Sequence, residues 1–175
     1  RYKEAGNIKN AVPFLHQDPD SDEILGQCEE SGRDQGHATL CVSLMGAFCQ
    51  MAYSIGEDLF AFDNYRAVAM AEYVGKYNLI KDEAFNKGTL VGDDFVYDSN
   101  SFPYTSYSNP SYTNTTISTD QRGTKRPAWE LFYGYCKAKG ISSIYSGKWA
   151  EQMRPDGGGG NYGPNSGGFD QLGFG

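Results

Sequence analysis

Residues 34–54 read DQGHATLCVSLMGAFCQMAYS, and the spacing of their apolar side chains decides the fold class. Leu40, Leu44, Ala47, Phe48 and Met51 recur at steps of three and four, which describes one apolar face of a helix. Gly56 follows as a stop, and Glu57-Asp58 suits the first turn of a second helix. That helix is predicted over 58–77, with Leu59, Phe62, Tyr65, Ala69 and Tyr73 along its stripe. Two helices of about twenty residues joined by so short a turn make an antiparallel hairpin.

Working outward, residues 1–30 hold Pro13, Pro19 and the acidic run DPDSDE, which predicts loops and one short helix. Residues 95–119, FVYDSNSFPYTSYSNPSYTNTTIST, are rich in Ser, Thr, Asn, Tyr and Pro. The span 93–120 is therefore a polar insertion, an ordered loop or short hairpin of the kind that often covers a site. A third helix is predicted from Pro127 to Lys139, closed by Gly140, with Trp129, Leu131, Phe132, Tyr135 and Cys136 wrapping much of its circumference. A shorter one follows over 148–154, with Ser146 as candidate cap. The tail 155–175 carries too much glycine for regular structure. No segment reads as a parallel-sheet unit, so the chain is a single, mainly α domain.

The length of 175 residues suffices for one sizeable core, and no apolar run approaches the ~18 residues of a membrane span. A net charge of −7 argues against nucleic acid as a partner through a general basic surface. A polyanion remains compatible where positive groups gather locally. Thirteen tyrosines exceed ordinary core needs and suit a sugar or peptide surface. Cys28, Cys41, Cys49 and Cys136 lack metal-binding spacing; Cys41 and Cys49 lie ~12 Å apart along one helix, too far to bridge. They read as small buried hydrophobes.

Only two histidines are present. His16 sits in a Pro-bounded loop with Asp18 and Asp20 nearby and reads as a plain exposed residue rather than a metal ligand. His37 is different, because it opens the first long helix beside Arg33 and Gln35. A helix amino end favours negative charge and keeps a nearby imidazole neutral, which suits carboxylate capture and proton acceptance. Packing against a neighbouring helix is the competing reading. The second constellation, RGTKRPAWELFYGYCK at 122–137, gathers Arg122, Lys125 and Arg126 ahead of Tyr133 and Tyr135. Arg126 and Tyr133 are seven residues apart, about two helical turns and nearly one face. Neighbouring cations favour a phenolate. A solvated charge cluster with two core tyrosines is the competing reading here.

Together, SGRDQGH, DLFAFDNYRAVAMAEYVGKYNL, RPAWELFYGYCKAKG and GGGGNYGPNSGGFDQLG resemble, in order and approximate spacing, Bacteroidetes-type members of the alginate lyase family of polysaccharide lyases. The resemblance runs from residue 26 to the end. It implies an incomplete (α/α) toroid built of antiparallel helix hairpins, of which this chain corresponds to the carboxyl-terminal half. It further implies β-elimination on alginate or a related polyuronate, with no metal and no cofactor, in the periplasm or outside the cell. His37 falls on the family's catalytic histidine, Arg126 on its carboxylate-binding arginine and Tyr133 on its acid–base tyrosine. Many members have Asn-Asn-His where this chain has Gln35-Gly36-His37, so Gln35 or Arg33 stands in for the missing asparagine. Lys125, Tyr135, Trp129 and Tyr162 complete the expected substrate contacts, with Trp149, Tyr104 and Tyr107 as further stacking candidates. Two rivals come from other classes. One is a catalytically silent glycan-binding toroid. The other is a hydrolase using Asp93-Asp94 or Glu29-Glu30, although adjacent carboxylates seldom oppose each other across a substrate.

Overall fold

The computed structural model describes residues 7–109 and 112–154. After a short helix α1 (Ile8–Ala11) and a two-stranded antiparallel hairpin, β1 (Phe14–Gln17) and β2 (Ile24–Gln27), the chain enters helix α2, Gln35–Ser54. Asp34 starts it: its backbone is extended and its side chain accepts the His37 N–H, one of the donors a helix start leaves free. Gly56 stops the helix at φ +89°, and Gly140 likewise closes α4 (Trp129–Lys139) at φ +68°. Helix α3, Phe62–Asn78, begins later than its sequence pattern predicts. Asp63, Asn64 and Tyr65 form a left-handed turn at φ 49°, 57° and 60°, and regular helix starts only at Arg66. The last helix, α5 (Ile144–Met153), starts at Ile144, four residues before the predicted 148, leaving Ser146 buried inside it. In the polar insertion, β3 (Tyr107–Asn109) and β4 (Tyr112–Asn114) form a second short antiparallel hairpin.

Helix α3 is the axis of the molecule, with every residue from Ala67 to Asn78 buried. The hairpin β1–β2 covers one side of it, and the other helices cover the rest. Contacts along it set the helix directions. Asn78, at its carboxyl end, bonds Gln35 at the start of α2, so α2 and α3 are antiparallel. Along α5, Tyr145 and Ser146 meet Glu72, Trp149 meets Gly75 and Gln152 meets Ile80, so α5 runs with α3. Its pairing with α4 is antiparallel, Tyr133 facing Gly147 and Glu130 facing Arg154. Two antiparallel helix hairpins, α2–α3 and α4–α5, thus form the mainly α body. Among the described residues no helix is long and apolar enough to cross a membrane.

The apolar stripe of α2 points the other way from a core face. Leu44 is 62 % exposed, Met51 64 % and Phe48 36 %, while Gly36, Ala38, Thr39, Val42, Gly46 and Cys49 are buried. Small side chains let the backbones approach. A Cβ on Gly46 would lie 3.0 Å from both Leu131 and Phe132, leaving no room for a larger residue beneath α4. The cysteines are all free thiols, three buried and Cys41 half-buried. Burial pushes Cys49 and Cys136 up to about 12, out of the reactive range. His16 lies within β1, half-buried, with Nε2 2.9 Å from Gln27 Oε1 and its ring stacked on Tyr73.

Two ionisable side chains of α3, Glu72 and Lys76, lie inside this body. Lys76 bonds Asp18 and Asp20, tying the β1–β2 turn to α3. Burial pushes the Asp18 carboxyl up, but Lys76, the Asp20 N–H and the Tyr145 hydroxyl outweigh it and hold it below the usual range. Glu72 accepts the Tyr145 and Ser146 N–H groups at 2.8 and 2.9 Å, capping α5 from a neighbouring helix. Burial still dominates and raises its carboxyl from 4.5 to about 7. The folded state therefore holds this proton more tightly than the unfolded chain. Its contribution is full below the unfolded value and is lost as pH rises towards 7, a change on the order of 3 kcal/mol. Thermal unfolding of the wild type and Glu72→Gln between pH 4.5 and 8 tests this: the stability of wild type relative to variant falls across that window. A pH-independent difference would refute it.

Candidate functional site

The amino end of α2, the carboxyl end of α3 and the segment 118–126 converge at one end of the helix bundle. The Asp34 carboxylate grips His37 twice: Oδ1 accepts the backbone N–H at 2.8 Å and Oδ2 lies 2.6 Å from Nδ1. The His37 side chain remains 39 % exposed. Arg33 borders the pair, with Nε 3.7 Å from Asp34 Oδ2 and Nη1 3.4 Å from Glu30. Half-buried Arg126 joins from the turn before α4, donating through Nη2 to Gly36 O at 3.2 Å and through Nε to Thr39 Oγ1 at 3.3 Å. Gln121, in left-handed backbone at φ 55°, completes the wall. A Cβ on Gly36 would lie 2.1 Å from Gln121 Oε1, so a larger residue there would turn the Gln121 side chain away.

Arg33 and Arg126 thus both reach the start of the helix that carries His37, whereas Gln35 is not available to a ligand. It is 1 % exposed; Nε2 donates to Ser31 O and Ser118 O, and Oε1 accepts from Asn78 Nδ2. Asn78 in turn accepts the Gly123 N–H at 2.9 Å. These two amides form a buried polar knot, and the role of Gln35 is structural. Its position beside His37 misleads because the first turn of α2 faces two ways, His37 outward and Gln35 into the bundle.

Several other expected contacts are corrected by burial. Trp129 is fully buried, stacked on Trp149 with centroids 5.2 Å apart, so both indoles belong to the core. Tyr135 is 1 % exposed, stacked on Phe60, and donates its hydroxyl to Asp58 at 3.0 Å. Burial and that carboxylate push its phenol far above the usual range. The Lys125 ammonium lies over the Phe85 ring and bonds the Phe85 carbonyl. Burial lowers its pKa. Tyr104 and Tyr107 are half-buried beside residues 29–32, Tyr107 reaching Glu29 and the Tyr104 hydroxyl bonding Asn114 O at 3.4 Å. Tyr162 lies outside the described residues.

Tyr133 is placed apart from His37. Its ring lies against Gly147 and 5.3 Å from the Arg154 guanidinium, both contacts towards α5. Helical geometry puts it roughly 150° around α4 from the Leu131–Phe132 edge that meets Gly46. Gly46 itself is about 15 Å along α2 from Gly36. Arg126 and Tyr133 do not share a helix face, because α4 begins at Trp129 and leaves Arg126 in the preceding turn, out of helical register with Tyr133. Of the paired carboxylates, Asp94 is committed to Lys87 and to the Val91 N–H, and Glu30 meets Arg33, so neither adjacent pair presents two uncommitted acids. Among the described residues no cluster of three His, Cys, Asp or Glu side chains is placed to hold a metal.

An open groove of about 860 Å³ continues from this end, lined in part by Lys81, Asp93, Tyr97, Thr119, Gln121 and Arg122. Arg122 anchors its floor: the guanidinium is sandwiched between Tyr77 and Phe95 and donates to the Tyr77 and Tyr97 carbonyls. Gln121 therefore separates the groove from Gly36. Asp34 and Gln121 are the site residues that sequence reasoning missed. Asp34 had a signal, since an Asp three residues before a helical His is a capping position; Gln121 had none. No family model, curated protein or solved structure matches this chain.

The Gln35 assignment is testable. Gln35→Ala leaves the Ser31 and Ser118 carbonyls without their donor and lowers the unfolding free energy by roughly 2–4 kcal/mol. Chemical denaturation with a wild-type midpoint would remove Gln35 from the structural role.

Proposed function

We propose that this chain is part of a polysaccharide lyase that cleaves a uronic-acid polymer by β-elimination, with its two helix hairpins belonging to an incomplete (α/α) toroid. The observation that carries the reading is the exposed His37 imidazole, backed by Asp34, with the Arg126 guanidinium held at the same helix start. Elimination requires three things of a site: neutralisation of the C6 carboxylate, a base for the C5 proton and a proton for the departing O4. Arg126 makes its protein contacts through Nε and Nη2, leaving Nη1 for the carboxylate, with Arg33 as a second cation. Since Nδ1 of His37 faces Asp34, the open nitrogen is Nε2. It takes the proton from C5; the electron pair forms the C4=C5 double bond as the C4–O4 bond breaks; and the imidazolium returns the proton to O4 where both atoms lie on one ring face.

The substrate is an acidic polysaccharide bound at a local cluster of cations in a chain of net charge −7, and the family resemblance supports a location in the periplasm or outside the cell. The separation of Tyr133 from His37 favours a second reading, a glycan-binding toroid without turnover.

Ultraviolet absorbance of the unsaturated uronate, followed over a panel of polyuronates, decides between them. Absorbance rises with at least one polymer, and His37→Gln lowers the rate by roughly 10²-fold or more. Arg126→Ala impairs both kcat and KM, while Tyr133→Phe keeps the rate within about tenfold, because general acid–base loss costs more than that. Strong loss in Tyr133→Phe would return the acid–base role to that tyrosine. A flat trace on every polymer with binding still detected would establish the silent toroid.

A further inference from the structure

The Asp34–His37 pair carries information about proton placement as well as helix capping. In an ordinary capping box the third helical residue reaches back to the backbone of the cap. Here the third residue, His37, reaches back to the side chain of the cap, so one carboxylate holds both its main chain and its ring. The Asp34 side chain is 11 % exposed against 39 % for His37, so the shared contact is sheltered while the rest of the ring is open. An ionised carboxylate only accepts hydrogen bonds, so Nδ1 at 2.6 Å must be the donor. Among the described residues, Nε2 has no protein acceptor that would compete for the proton.

We propose that Asp34 is a positioning residue that fixes the neutral His37 ring with its proton on Nδ1 and its lone pair on Nε2. Its consequence for turnover rests on the reading of His37 as base. The tautomer itself does not.

Substitution by asparagine tests this because the backbone constrains the amide. The His37 N–H is an obligate donor, so the Asn oxygen must face it, as Asp34 Oδ1 does. The amide NH₂ then faces Nδ1, which must become the acceptor, and the ring proton moves to Nε2. Helix capping survives, since Asn and Asp cap equally well. Serine in the same place caps without reaching Nδ1 and releases the ring to the solution preference, which also favours Nε2–H.

The experiment is long-range ¹H–¹⁵N correlation of the imidazole in the full chain, at a pH where the same spectra show the ring neutral. The wild type shows the Nδ1–H tautomer, and Asp34→Asn and Asp34→Ser show Nε2–H, with backbone amide spectra otherwise preserved. An Nε2–H ring in the wild type overturns the proposal even if neither variant folds, and so does an Nδ1–H ring in a folded Asp34→Asn. If the wild type turns over a polyuronate, Asp34→Asn lowers kcat by roughly 10²-fold or more with KM little changed, as for other wrong-tautomer histidines. An equal rate in an Asp34→Asn whose ring has moved to Nε2–H leaves the tautomer assignment standing and removes His37 as the base. The Nδ1–H tautomer found in a wild type that cleaves no polyuronate supports the positioning role and sinks the lyase reading instead.

Discussion

The structure depends on the pair of buried amides, Gln35 and Asn78. Neither is a residue that a core tolerates without partners, because an unsatisfied buried amide costs kilocalories. Each is engaged at both of its polar ends, and the groups they satisfy belong to α2, α3 and the segments around Ser31, Ser118 and Gly123. Apolar packing between helices tolerates sliding by a turn; this knot does not, since a shift leaves at least two polar groups unpaired. It therefore sets the register of the first helix hairpin and delivers residues 118–126 to the start of α2. Arg126 reaches Gly36 because of that delivery.

The packing of α2 explains how a helix so poor in charge has its small residues inside. Residues 35–54 contain no Asp, Glu, Lys or Arg, so hydropathy alone does not distinguish its faces. What distinguishes them is volume. Leu131 and Phe132 of α4 fill the space above Gly46, and any larger residue of α2 turned inward would displace them. The fully buried α3 follows the complementary rule: covered on all sides, it carries Lys76 and Glu72 inside only because Asp18 and two helix-end N–H groups are there to receive them.

Much of the element plan was legible in the sequence, and the orientations were not. The start of α2 at Asp34, its stop at Gly56, the antiparallel return of α3 and the Gly140 close of α4 follow from local capping chemistry and period, which a single chain displays. The facing of Leu44 and Met51 depends on what covers them, which local pattern does not contain. Tyr133 and Arg126 separated because a three-residue turn interrupts the helical count. Gln35 and Trp129 were misassigned for a common reason: residues near a charged cluster in sequence look like ligands, whereas three-dimensional burial assigns them to the scaffold. In the candidate site His37, Arg33 and Arg126 were readable from residue type and position, but the Asp34 contact needed the helix turn to bring it into view.

The two halves of the site differ in how far apart their members lie along the chain. Asp34 and His37 are three residues apart and meet as soon as α2 forms, while Arg126 meets Gly36 across a sequence separation of 90. Long-range contacts require loop closure before they return any stabilisation, and they form late. The Asp34–His37 contact is thus local to one helical turn, while Arg126 reaches that turn only when the segment before α4 has docked against it.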